Sequence, residues 1–233
     1  MTDRRDLDLA AELDRQVENL VAKGYPELAG VGVASFRHRL TALKEQLAHL
    51  RPSPEPGRVP FVIVVRTDVV PADRAVSLVE LRGKDGFTEM DADDLRRFAT
   101  VEGVEIPPGS AYLLVDVDAG RGSRNVTPDE AGKLIAAEGR SPLTVAEGVA
   151  LVTHHPEILR TGTCFSMLAS RCGDRRVTAM WVSAGRPRLG WCWAGNPHTW
   201  LGSASCAARV GRDVKLMPGS PQPGVSAGTK LGG

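Results

Sequence analysis

Between Arg160 and Arg212 the chain gathers all four of its tryptophans, all four of its cysteines and eight arginines, against one acidic residue, Asp174. The densest part, residues 186–206, reads R-P-R-L-G-W-C-W-A-G-N-P-H-T-W-L-G-S-A-S-C. Indole planes stack on flat groups, guanidinium forks grip carboxylates or phosphates, and amide and imidazole groups orient a ligand by hydrogen bonds. That inventory describes a binding site for a planar or anionic small molecule, built from Arg186, Arg188, Trp191, Trp193, Asn196, His198 and Trp200. With aromatic residues at only 5% of the chain, the same indoles would also suit the centre of a packed sheet. An enzyme is the alternative, with His198 as general acid or base and a thiol from Cys192 or Cys206 as its partner. Strand alternation weighs against Cys192, which falls on the face opposite Trp191 and Trp193. No nucleophile motif surrounds either cysteine.

The remaining reactive residue types carry less. The shortest cysteine spacing is Cys164 to Cys172, and no C-x-x-C occurs, so free thiols rather than a zinc knuckle are expected. His154 and His155 close a helical stretch, where the negative end of the helix dipole accounts for them. Asp116 and Asp118 form a D-x-D at a strand end, a weak magnesium signal, and G-R-G-S-R at 120–124 lacks the phosphate-loop pattern. No metal and no cofactor is assigned.

The elements that must position these residues follow from periodicity. Residues 7–23 and 35–50 carry apolar side chains at helical spacing and form two helices expected to pack antiparallel. The proline-rich stretch 51–58 connects them to a buried strand at 60–66. Further strands are expected at 75–81 and at Ala111–Val117, with a short helix over 91–98 between them. Thr127-Pro128 opens one helix, and the capping box Thr144-x-x-Glu147 opens another that Pro156 stops. Strands at 163–171, 176–183 and 188–194, joined by turn residues, make an antiparallel meander. The expected fold class is therefore α+β: one domain over residues 1–210, with N-terminal helices, short buried strands and a C-terminal antiparallel β-meander. Residues 211–233, rich in Pro, Gly and Ser, are expected to be a disordered tail.

Composition narrows the function classes. There are 29 basic and 28 acidic residues, a net charge of +1, which disfavours extended nucleic acid as a partner. Acids dominate from Asp85 to Glu138 and arginines from Arg160 onward, which suggests either a bipolar surface or two complementary faces packed together. The N-terminal stretch lacks the apolar core of a signal peptide, and no apolar run reaches the ~18–20 residues of a membrane span. A cytoplasmic protein with no membrane partner is the expectation; composition does not set its oligomeric state.

Four stretches also carry a resemblance: D-R-Q-V-E-N-L-V-A-K-G-Y-P-E-L-A-G, V-P-F-V-I-V-V, C-F-S-M-L-A-S-R-C-G-D-R-R-V and G-W-C-W-A-G-N-P-H-T-W-L-G-S-A-S-C. Over 13–211 the chain resembles a family of actinobacterial proteins of unknown function. The resemblance implies a single cytoplasmic domain from a high-GC bacterium and brings no catalytic residues with it.

Overall fold

Asp8 accepts hydrogen bonds from the N–H groups of Ala10 and Ala11 and so starts helix α1, Leu9–Ala22. The computed structural model describes residues 8–53 and 55–216. Gly24, in the left-handed region at φ 78°, turns the chain out of α1. The second expected helix is shorter than its apolar pattern: α2 covers Val33–Thr41, and a separate helical turn follows at Lys44–Leu47. The Thr41 hydroxyl donates to the Arg37 carbonyl, and the Leu43 N–H reaches back only three residues to Leu40, which ends the regular helix. Arg37 pairs with Glu18 and, further on, Lys44 with Asp14. Rising numbers in one partner meet falling numbers in the other, so the two segments run antiparallel as expected.

Strand β1, Val59–Val65, is followed by helix α3, Ala72–Ser77, strand β2, Phe87–Thr88, helix α4, Ala92–Arg96, and strand β3, Ala111–Val117. Helices α5, Pro128–Ala137, and α6, Val145–His154, come next. The chain then forms strands β4, Cys164–Met167, β5, Arg176–Ser183, β6, Arg186–Trp193, β7, Leu201–Ser203, and β8, Ala208–Gly211. The expected strand at 75–81 is overturned, because residues 75–77 are the last turn of α3 and Leu78 caps it, with only Glu80–Leu81 extended. Pro71 stands at its N-cap, and Ala72, Ala75, Val76 and Val79 are all buried. That spacing is helical, and it outweighs the β-branched composition. The expected single strand over 163–171 is also divided, into β4 and a two-residue strand at Ser170–Arg171.

Two sheets result. The first is antiparallel, in the order β1-β3-β8. The second is mixed, in the order β7-β4-β5-β6-β2; the expected meander β4-β5-β6 is antiparallel, and β7 and β2 join its two edges in parallel. Helix α6, buried along nearly its whole length, packs on β1 and reaches β5. Gly148 makes that close fit possible, since a Cβ there would overlap the Met167 side chain. The outer edge of β1 is satisfied by side chains. The buried Gln16 amide donates to the Phe61 carbonyl (3.0 Å) and accepts from the Ile63 N–H (2.7 Å). This closes an edge that would otherwise bury unpaired backbone groups. The molecule is a single α+β domain. Past Gly211 the chain is still packed, with Val214 and Leu216 buried and Ser110 N–H donating to the Val214 carbonyl. The expected tail therefore begins too early; residues 217–233 lie outside the described residues.

Candidate ligand-binding cleft

Directly opposed residues of an antiparallel pair share one face. The register of β5 with β6 sets Trp181 against Arg188, Ala179 against Gly190 and Val177 against Cys192. Trp181 therefore stands on the Cys192 face, while Leu189, Trp191 and Trp193 occupy the other, as alternation requires. A Cβ at Gly190 would overlap the far rim of the Trp181 indole, so glycine is what lets that ring lie across β6. Trp191 and Trp193 do not form a flat stacking platform: their centroids are 4.9 Å apart and their planes meet at 67°, edge to face.

The loop 194–202 after β6 is held at both ends by backbone hydrogen bonds. Ala194 donates to the Arg175 carbonyl and accepts from Asp129 N–H at the start of α5; the Trp200 carbonyl accepts from Cys164 N–H. The glycine-rich segment 120–125 supports its middle. Asn125 N–H donates to the His198 carbonyl (2.9 Å), and Ser123 Oγ accepts from Ser203 N–H (2.8 Å). Gly120 and Gly202 meet backbone to backbone, where neither tolerates a Cβ. The G-R-G-S-R sequence is thus a brace for the loop.

Between the loop and the sheet lies an open cleft of about 210 Å³, lined by Ala179, Trp181, Trp191, Cys192, Trp193, Asn196, His198, Trp200 and Leu201. Trp200 stands edge-on to Trp181 at 6.5 Å, and the His198 ring lies 5.1 Å from Trp200. His198 Nε2 is buried without a hydrogen-bond partner. Trp191, Trp193 and Trp200 keep 37%, 47% and 37% of their surface exposed, and no indole belongs to the main core. The indoles are therefore not the centre of the fold. That centre lies between β1, β3, α1 and α6.

Five of the seven residues expected to bind ligand line this cleft, and the two arginines do not. Arg186 lies over the Phe87 ring and donates to the Asp85 carbonyl; Arg188 lies over Phe87 and Trp181 and is ion-paired with Glu89. The expected anion grip is instead part of how the acidic segment docks on β6. Arg176 repeats the pattern, pairing with Asp94 at 2.8 Å while lying 5.5 Å from the Trp191 ring centroid. Trp181, which the sequence left free to join either face, and Gly190 were not among the expected ligand-binding residues. Only the strand register could place Trp181, and Gly190 between Leu189 and Trp191 was its one visible trace.

Of the catalytic candidates, Cys192 and His198 line the cleft together, against the expectation from strand parity. Cys206 is buried in the two-residue strand Ser205–Cys206 and is absent from the lining. Burial pushes the Cys192 thiol up to about 11 and the Cys206 thiol up to about 12, and it raises Cys164 as well. All four cysteines are free. None of these three is poised as a thiolate at neutral pH.

The other sequence candidates have structural partners. The Asp116 carboxylate accepts from Arg58 (2.9 Å), Arg140 (2.7 Å) and Ser53 N–H (3.1 Å), partners that hold it in the ionised form against its burial. His154 is not the charged helix-end residue expected. Fully buried, it is pushed down to about 3; its Nε2–H donates to the Ile63 carbonyl and its Nδ1 accepts from Asn19. Among the described residues, no group of three or more His, Cys, Asp or Glu side chains could hold a metal ion, and no helix is long and apolar enough to cross a membrane.

Residues 19–212 match the family described as "Family of unknown function (DUF5701)". No curated protein and no solved structure matches the chain.

Proposed function

Because the chain belongs to a family of unknown function (DUF5701), which brings no activity with it, we propose its role from the cleft alone: a binding protein for a planar small molecule. One observation carries this reading. Three of the four tryptophans stand exposed around one concavity, braced by backbone hydrogen bonds on both sides, while the core is complete without them. Exposed aromatic clusters of this kind mark interaction sites, since water contact with indole is otherwise unfavourable. His198 and Asn196 supply the orienting polar contacts. A cytoplasmic setting in an actinobacterium is part of the proposal, supported by the sequence resemblance and by the free thiols.

The test is titration of tryptophan emission with a library of planar metabolites, on the intact chain and on Trp193→Ala and Trp200→Ala. Both variants should melt within a few degrees of the parent and lose the ligand response. Absence of any response from the intact chain, or unfolding of both variants, would remove the reading. The placement of Cys192 beside His198 favours an enzyme as second reading, but a thiol held protonated far above neutral pH weighs against it.

A further inference from the structure

A box of indoles suggests at first a cage for an ammonium cation, because the ring faces are electron-rich. Three features of this cleft oppose that ligand. No carboxylate is among its lining residues. Two of its indoles already carry a guanidinium: Arg188 lies 5.2 Å from the Trp181 centroid and Arg176 lies 5.5 Å from that of Trp191. Arg188 belongs to the neighbouring hollow that Trp181 and Trp191 also border, and its partner Glu89 is there too, so the acids neutralise the arginines on the far side. Cation–π attraction at these rings is thus already engaged, and the nearby acids are already paired with the arginines, so an incoming cation would find no carboxylate of its own in the cleft.

The polar groups that remain point the other way. Indole N–H can only donate, the Asn196 amide can donate, and the buried His198 Nε2 has no partner. A buried nitrogen of that kind is costly to leave unpaired, and a polar atom of a ligand would satisfy it. The volume of about 210 Å³ is below the ~300–1,000 Å³ of drug-sized sites, so one ring system is the fitting size. We infer that the cleft selects an uncharged heteroaromatic ring system bearing a hydrogen-bond acceptor on its edge, and that His198, as its Nε2–H tautomer, reads that acceptor. This rests on the cleft being a ligand site.

Three probes of equal shape test it: quinoline, naphthalene and N-methylquinolinium, titrated at pH 7.5 into the ¹⁵N-labelled chain while the indole N–H resonances are followed by NMR. Quinoline should shift the Trp181 and Trp200 signals with an affinity about tenfold better than naphthalene, the worth of one hydrogen bond. N-methylquinolinium should leave them unmoved. In His198→Phe, which keeps a ring against Trp200, the preference for quinoline over naphthalene should fall to within about twofold. If naphthalene or the cation binds as well as quinoline in the parent chain, the selectivity inference is overturned and the cleft remains a binding site. Should none of the probes move any indole signal, the binding reading fails, and the inference with it. The parent-chain comparison decides the matter even if His198→Phe does not fold.

Discussion

Single atoms decide the shape of the cleft. Gly190 is the clearest case, because its missing Cβ is the space that the Trp181 ring occupies. A methyl group there has no flexible neighbour to push aside, since an indole moves only as a whole. Gly190→Ala is therefore expected to destabilise the fold by about 1–3 kcal/mol, the cost of overpacking, and to displace Trp181 from Trp200. Chemical denaturation gives the first effect, and the Trp181 indole resonance gives the second. An unchanged resonance with unchanged stability would mean that the ring does not lie where the structure places it. At the same scale, the thiol of Cys192 illustrates why proximity is not reactivity. It lies in one cleft with His198, yet desolvation keeps its proton in place.

At the scale of elements, the first sheet depends on side chains that imitate backbone. Gln16 from α1 and His154 from α6 both bond to Ile63 of β1, one through its N–H and the other through its carbonyl. His154 does so only while neutral, and the unfavourable desolvation of its charged form, with Arg15 and His155 adding to it, sets its folded value near 3 against 6.5 when free. The sign follows from proton counting. Below pH 6.5 the unfolded chain binds a proton that the folded chain refuses, so this group's contribution is full above pH 6.5 and is lost as the pH falls toward 3. Glu12 and Glu157 lie near His155 and add their own charge, so the difference between the parent and a variant is the useful quantity. Between pH 7 and 5 the parent should lose stability with a slope approaching 1.4 kcal/mol per pH unit more than His154→Gln, read from urea midpoints. Parallel curves would show that His154 is solvated.

For the whole molecule, the question is what ties the last strand to the middle of the chain. Arg209 of β8, 6% exposed in its side chain, meets the fully buried Glu147 of α6 through two bonds of 2.5 and 2.8 Å. Glu147 also accepts from the Tyr112 hydroxyl of β3 and from Thr144 N–H, and Arg209 donates to Ser141 and the Pro142 carbonyl. Three elements share one satisfied ionic centre. Arg209→Met would strand the carboxylate and should cost about 3–5 kcal/mol. The double variant Glu147→Gln/Arg209→Met should recover more than ~1 kcal/mol of that loss, because no buried charge is left alone. Thermal and urea unfolding of the three chains measures both numbers, and a double variant no better than the single one would contradict the account. The acidic and arginine-rich halves are joined in the same spirit, by Arg176 with Asp94 and Arg188 with Glu89.

The sequence by itself determined what depends on neighbours along the chain. The caps at Thr127 and Thr144, the strand Ala111–Val117, the meander turns and the sharing of a face by Trp191 and Trp193 are all local chemistry. Clustering of the site residues in one segment was legible too, because loop 194–202 leads directly out of β6. Tertiary structure alone decided the rest. Whether 75–81 was strand or helix turned on which side chains found a buried partner. The face of Trp181 turned on a cross-strand register that the sequence does not encode locally, and the arginines were claimed by acids about a hundred residues away, as Arg188 is by Glu89. Exposure of the indoles is of the same kind. Alternation says that two side chains share a face, but only the packing of α1, α6 and β3 on β1, elsewhere in the molecule, leaves the tryptophan face in contact with water.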